Sequence, residues 1–337
     1  MRTIRIHGAG DLREEELPAP EPSPGRVRLR MAYAGICGSD LHYFAHGANG
    51  EYVVREPLVP GHEVSGTVDA DPSGELAPGT PVTVHPATFG PPADDGLENL
   101  PHLRPGGSYL GSASTWPHTQ GGMSEFLVVD RSMVRVLPQG LSLRAAALAE
   151  PLAVALHAVT VAGDVTGRRV LVSGSGPIGL LVAAAALERG AGEVVATDVL
   201  PGPLERARAL GVHGTVRIGE QEVRPEGFDV VLECSGVPVA VSAALVAARR
   251  AAVVVQVGMV PNEPRPVNLA PLVSKELQLR GTFRFAGEID EAVRVLAANP
   301  ALGRVVTHEF PLARAAEAFA VAADSEVSGK VLVSLGS

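Results

Sequence analysis

The sequence predicts an α/β protein in two parts, a β-rich, partly closed barrel followed by a doubly wound parallel sheet. Three observations carry this expectation. The 337 residues exceed the ~250–300 at which a single core stops growing. Short strand-like runs joined by Pro/Gly turns fill the first part of the chain. From Ala145 onward, continuous apolar strands alternate with helices, the pattern of a sheet buried on both faces.

Taken in order, the first 33 or so residues alternate apolar and polar, as in Val27-Arg28-Leu29-Arg30-Met31, with Pro18, Pro20, Pro22 and Pro24 marking a loop. Residues 63–68, 81–84 and 124–129 read as further short strands. Between them, 85–122 is low in periodicity and rich in Pro and Gly, an excursion loop. Ala145–Ala162 has helical potential. Strands are expected over 169–173, 193–198, 229–233 and 253–257, with helices over 180–190, 204–210 and 240–248 between them. A helix over 287–299 and a strand over 330–335 end the chain.

Composition narrows the function classes. The apolar fraction of 46% supplies packed cores, and charged residues at 19% sit below the usual ~25%. The net charge of −9 and the absence of a basic run argue against nucleic acid or an anionic membrane as partner. Two cysteines, Cys37 and Cys234, cannot build a disulfide framework, so the chain reads as cytoplasmic. Met1–His7 holds no signal-type apolar stretch, and Glu150, Pro151 and His157 interrupt the most apolar segment, against a membrane span.

Chemistry concentrates first in Gly35-Ile36-Cys37-Gly38-Ser39-Asp40-Leu41-His42-Tyr43 and then in Pro60-Gly61-His62-Glu63. Cys, His and Glu are all ligands of first-row metals, and Cys with His favours zinc over calcium or magnesium. A single Cys or His is more often a satisfied core residue. Cys37, His62 and Glu63 are the candidate ligands, with Glu150 a fourth, direct or through water. Glu150 before Pro151 also reads simply as a helix-start carboxylate. Asp40 is expected to hydrogen-bond the ligand imidazole. Ser39 and His42 are the candidate catalytic pair: the serine hydroxyl takes a substrate proton and passes it through a nicotinamide ribose to His42, a residue type suited to ending a proton relay.

The second cluster is Gly174-Ser175-Gly176-Pro177-Ile178-Gly179, directly after a predicted strand and opening a helix. That context turns a weak G-x-G-x-x-G match into a dinucleotide fingerprint: Gly174 for the turn, Gly176 for approach of a pyrophosphate, Gly179 for close packing. The helix N-terminus adds free N–H donors. Asp198 ends the next strand, where a carboxylate binds ribose hydroxyls and repels a 2′-phosphate. The four residues after it hold no Arg, so NAD is expected over NADP.

These motifs resemble, in order and spacing over nearly the whole chain, the zinc-dependent medium-chain alcohol dehydrogenases; Ala149-Glu150-Pro151-Leu152 matches as well. Tyr43, Glu150 and Phe283-Arg284-Phe285 fit the sorbitol and L-idonate 5-dehydrogenase branch. Gly111-Ser112-Ala113, Pro117-His118 and Gly121-Gly122 look most like the idonate enzymes. The resemblance implies a GroES-like catalytic domain from residues 1–150 and 284–337 and a Rossmann NAD-binding domain over 151–283. It implies a homodimer or homotetramer, and hydride transfer from a secondary hydroxyl of a polyol, sugar acid or cyclitol to NAD. Val257, Met259 and Phe283 complete the candidate cofactor set with Pro177 and Ile178; Tyr43, His118 and Arg284 are the candidate substrate residues. The alternatives are a cyclitol or aminocyclitol dehydrogenase and a non-catalytic NAD sensor, against which the complete relay argues. Many relatives hold a structural zinc on four cysteines in the loop corresponding to 86–110, where this chain has no cysteine. One catalytic zinc and no structural zinc are therefore expected.

Overall fold

The computed structural model describes residues 1–92, 94 and 96–336; Ala93 and Asp95, in the acidic part of the excursion loop, lie outside the described residues. The chain divides into two compact units. One is Met1–Glu150 with Ile289–Asp324 and Lys330–Ser337; the other is Pro151–Glu288 with Ser325–Gly329. No described helix is long and apolar enough to cross a membrane.

The first unit is built on the strand Arg26–Gly35. Its period-2 pattern sends Val27, Leu29 and Met31 into the core and the arginines between them outward. Arg28 and Arg30 both bond the Asp69 carboxylate, at 2.7 and 3.0 Å, and both lie over the Phe126 ring. Glu63–Ala70 pairs along one edge of this strand. On the other edge, Phe126–Asp130 takes residues 26–30 and Lys330–Ser334 takes 33–35. The C-terminal strand thus lands beside the Cys37 segment. Val306–Pro311 pairs parallel with it, and the helix Ala315–Ala323 makes the connection.

The second unit is a six-stranded parallel sheet in the order Gly214–Arg217, Glu193–Asp198, Arg169–Ser173, Phe228–Glu233, Ala248–Gln256, Gln278–Gly281. The order reverses between Arg169–Ser173 and Phe228–Glu233, which makes their C-terminal ends the switch point where ligands of doubly wound sheets bind. The helix Pro177–Glu188 starts with Pro177 at its first turn, where no N–H is needed. A Cβ on Gly179 would lie 1.9 Å from Gly174 O, so only glycine allows this approach.

The single alanine-rich helix expected over 145–162 is two, Leu143–Ala146 and Ala149–Ala162, and the break sets Glu150 and Pro151 in the first turn of the second. Several elements are absent from the expected set, among them the strands 214–217, 278–281 and 306–311 and the helices 38–46 and 315–323. The first two are sheet edges, which need no continuous apolar run; Gln278–Gly281 is mostly exposed.

The second unit ends on a clamp. Glu288 Oε1 meets His157 Nδ1 at 2.7 Å, and Oε2 accepts the N–H groups of Ala286 and Gly287 at 2.9 and 3.0 Å. Burial raises the carboxyl pKa, but His157 and the N–H donors outweigh it and hold it at about 2. Because that lies below the ordinary 4.5, the stabilisation is complete above pH 4.5 and lost as pH falls toward 2. Glu288→Gln is expected to lower the melting temperature at neutral pH, with the gap to wild type closing below pH 4.5. A gap that stays constant with pH would show that the clamp is not linked to this carboxylate.

Candidate active site

Cys37 is the N-cap of the helix Gly38–His46, at the end of the central strand. Asp40, fully buried, accepts the Cys37 N–H at 2.9 Å and the Gly61 N–H at 3.3 Å. It was expected on the imidazole of His62. Its oxygens instead take backbone donors from both ligand-bearing turns, so it ties the turns together and not the ring. Burial and the nearby Glu63 push its pKa up.

His62 follows Gly61, whose φ of +97° needs a glycine. The 111–122 stretch closes over this turn: a Cβ on Gly121 would stand 2.4 Å from Gly61 O, and one on Gly111 2.8 Å from Gly61 N. Glu63 opens the next strand, in register with Gly35. A Cβ on Gly35 would sit 2.1 Å from Glu63 Oε2, so that glycine makes the space the carboxylate occupies. The ligand atoms of Cys37, His62 and Glu63 all lie within 4.8 Å of one another.

Glu150 stands outside this triad but acts on it. Its Oε1 accepts from the Tyr109 hydroxyl at 2.5 Å, and the Tyr109 ring lies edge-on to His62. Burial and the Glu63 charge raise its pKa. Two residues were not anticipated. Tyr109 is one. The other is Lys330, whose Nζ bonds Glu63 Oε1 at 2.6 Å and Ile36 O at 3.0 Å in a fully buried setting. A lysine heading the otherwise apolar run Val331-Leu332-Val333 was its only signal.

These residues fit a zinc ion. Glu63 Oε2 is buried with no hydrogen-bond partner among the described residues, beside a thiol and an imidazole, an S/N/O donor set that suits this metal. The acids Asp40, Glu63 and Glu150 and the Cys37 thiol crowd around Lys330 and His62. Burial opposes charge on His62, yet Cys37, Glu150 and Asp40 raise its pKa to about 10. The pocket thus draws in a positive charge, as a proton when no cation supplies it.

Ser39 and His42 lie three residues apart on the Gly38–His46 helix and so share a face. Ser39 is half-buried and His42 exposed against His46. Two of the three substrate candidates are otherwise engaged. The Tyr43 hydroxyl, buried, accepts Ala113 N–H at 3.0 Å and lies 3.4 Å from Ser112 Oγ. His118 is buried, with Nδ1 on Thr115 O at 3.0 Å and Nε2 accepting Arg55 N–H at 2.9 Å. Both side chains hold the loops around 43–56 and 108–120 in place, and both ring nitrogens of His118 are hydrogen-bonded to backbone. Arg284, in the second unit, is strained at φ +50° and lies over the Phe283 ring.

At the switch point, Gly174 has φ +90° and packs on Ser235, while nothing lies within 4 Å of the Cβ position of Gly176. Asp198 accepts Ser175 N–H at 2.8 Å and Leu200 N–H at 3.0 Å. The four residues after Asp198 hold no arginine, but strand pairing brings one alongside. Arg217 is its register partner on the neighbouring strand, with Nε 3.5 Å from Val199 O and Nη1 on Glu220 at 2.6 Å. Val257, Met259 and Phe283 follow the C-terminal ends of parallel strands, the same end as the glycine loop.

Residues 23–139 match the alcohol dehydrogenase GroES-like domain and 177–298 the zinc-binding dehydrogenase domain. The chain is 37% identical to sorbitol dehydrogenase of Gallus gallus, over 94% of this chain and 91% of that one. It belongs to the zinc-dependent medium-chain alcohol dehydrogenases. Within them this dehydrogenase sits in the sorbitol and idonate-like branch. It is 35% identical to the L-idonate 5-dehydrogenase (NAD(P)(+)) of Escherichia coli K12, over 90% of each chain. The crystal structure of the Escherichia coli L-idonate 5-dehydrogenase superposes with a TM-score of 0.93 at 32% identity, covering 99% of this chain and 98% of that one. The 2R,3R-butanediol dehydrogenase of Bacillus subtilis superposes with a TM-score of 0.88 at 28% identity, covering 99% of both. The chain is thus an alcohol dehydrogenase-family enzyme that combines a GroES-like fold with a Rossmann-like one.

Proposed function

We propose that this dehydrogenase oxidises a secondary hydroxyl of a sugar acid or polyol, in the manner of an L-idonate 5-dehydrogenase, with NAD as hydride acceptor. The observation that carries it is the convergence of the partly buried Cys37 with the buried His62 and the unclaimed Glu63 oxygen, with Ser39 two residues after Cys37 in the first turn of the helix that Cys37 caps. Cys37, His62 and Glu63 would hold one zinc, with Glu150 as a fourth ligand, direct or through water. Bound there, zinc is a Lewis acid that lowers the pKa of a substrate hydroxyl.

Ser39 takes the hydroxyl proton, and the exposed His42 delivers it to solvent. Arg284 suits the carboxylate of a sugar acid, which it can grip with two parallel hydrogen bonds. Its strained backbone is the kind of feature that clusters at ligand clamps. Tyr43, His118 and Arg284 are the three candidates for recognising the substrate, and Tyr43 and His118 also hold the loops around them. Asp198 favours NAD, although Arg217 beside it weakens the argument against NADP.

The test is NADH formation across a panel of aldonates, polyols and cyclitols, repeated with NADP. The expected result is the highest kcat/KM with an aldonate and NAD. A cyclitol that outpaces every aldonate would overturn the substrate class. No reduction with any alcohol, despite bound zinc and NAD, would point to a sensor.

A further inference from the structure

We infer that Glu233 and Gln256 are positioning residues that shape the nicotinamide side of the dinucleotide site. The inference rests on the dinucleotide reading above and concerns two residues that no motif singled out. Glu233 ends the strand Phe228–Glu233 at the switch point and is fully buried. No Lys, Arg or His pairs with it among the described residues. Its carboxylate is held instead by neutral donors: Ser235 N–H at 3.0 Å, the Ser235 hydroxyl, Gly236 N–H at 2.9 Å and the Gln256 amide at 2.6 Å. The same Gln256 amide nitrogen also donates to Gly258 O at 2.8 Å. The Glu233 carbonyl accepts the N–H groups of Val257 and Gly258, both at 2.8 Å.

One residue therefore holds two loops, 234–237 and 257–259, through both side chain and backbone. The loops interlock closely: a Cβ on Gly258 would fall 2.2 Å from Gly236 N, and one on Gly236 2.2 Å from Met259 O. Burying a carboxylate without a counter-ion is costly, and an apolar side chain would pack a plain strand end at less cost. What the carboxylate adds is fixed placement of three N–H and O–H donors and one amide, a preorganised wall.

Its location says what the wall serves. In a doubly wound sheet the dinucleotide straddles the point where strand order reverses. The Gly174 loop and Asp198 lie on one side of that point, suited to the pyrophosphate and adenosine ribose. The two loops held by Glu233 follow strands on the other side, where the nicotinamide half falls.

The experiment compares NADH with ADP-ribose, which lacks the nicotinamide, in wild type, Glu233→Gln and Gln256→Leu, by calorimetry on the full chain. Each variant is expected to weaken NADH about tenfold or more, the worth of one lost charge-assisted hydrogen bond, and ADP-ribose less than about threefold. The melting temperature of the cofactor-free protein is measured alongside. Equal weakening of both ligands overturns the inference, as does unchanged NADH affinity at any melting temperature. Should Glu233→Gln not fold, Gln256→Leu decides alone, since it removes one donor and keeps the carboxylate. Wild type that binds neither ligand refutes the dinucleotide reading itself.

Discussion

Cys37→Ala is expected to abolish zinc binding and lower kcat/KM at least about a thousandfold, because removal of the Lewis acid forfeits several kcal/mol of charge stabilisation. Elemental analysis should fall from one zinc per chain to none. Cys37 is one corner of a triad whose ligand atoms lie within 4.8 Å, and the only other cysteine is Cys234, at the end of a strand in the second unit. No second thiol stands ready to replace it. Ser39→Ala separates the metal from the proton path: zinc should stay at one per chain while kcat falls about 10²–10⁴-fold. Turnover at the wild-type rate in Cys37→Ala would end the zinc mechanism. Two tightly held zinc ions in wild type would end the single-site reading.

Lys330→Met is expected to destabilise the protein by about 3–5 kcal/mol, the cost of leaving one member of a buried ion pair alone. Glu63 would then be a buried carboxylate beside Glu150 and Asp40 with no lysine to offset it. Burial opposes the charge on Lys330, but Glu63 and Cys37 raise its pKa above the ordinary lysine value of 10.5. The raised value means that the charge on Lys330 is fully present below pH 10.5 and its contribution is lost only as pH rises above that. Zinc is a second source of positive charge for the same carboxylate, so the loss should be larger after chelation than in the zinc-loaded protein. Urea midpoints of both forms check this. Adding Glu63→Gln to Lys330→Met should recover much of the chelated protein's loss, since no isolated charge then remains. Equal midpoints for wild type and Lys330→Met in both forms would show that the pair carries no stability.

Much of this molecule is readable from local pattern. Residues 27–31 alternate, so their strand and its inner face follow from period 2 alone. The glycine loop between a strand and a helix announces itself because turn geometry and phosphate approach demand glycine at those positions. Cys37, His62 and Glu63 could be nominated because ligand chemistry belongs to residue types. Edge strands escaped notice because an edge buries little, so Gln278–Gly281 has no apolar run to see.

What only the tertiary structure decided is which polar atom meets which. Lys330 reaches Glu63 across 267 positions of sequence because the last strand lies beside residues 33–35. Tyr43 and His118 have the residue types of a sugar pocket, yet backbone groups 70 and 63 positions away take up their polar atoms. Arg217 comes to Asp198 through strand register and not through sequence proximity. Periodicity and turn chemistry act over a few residues and specify elements. A buried polar atom must find a partner wherever the fold brings one, so the pairings around the site are set by the packed strands alone.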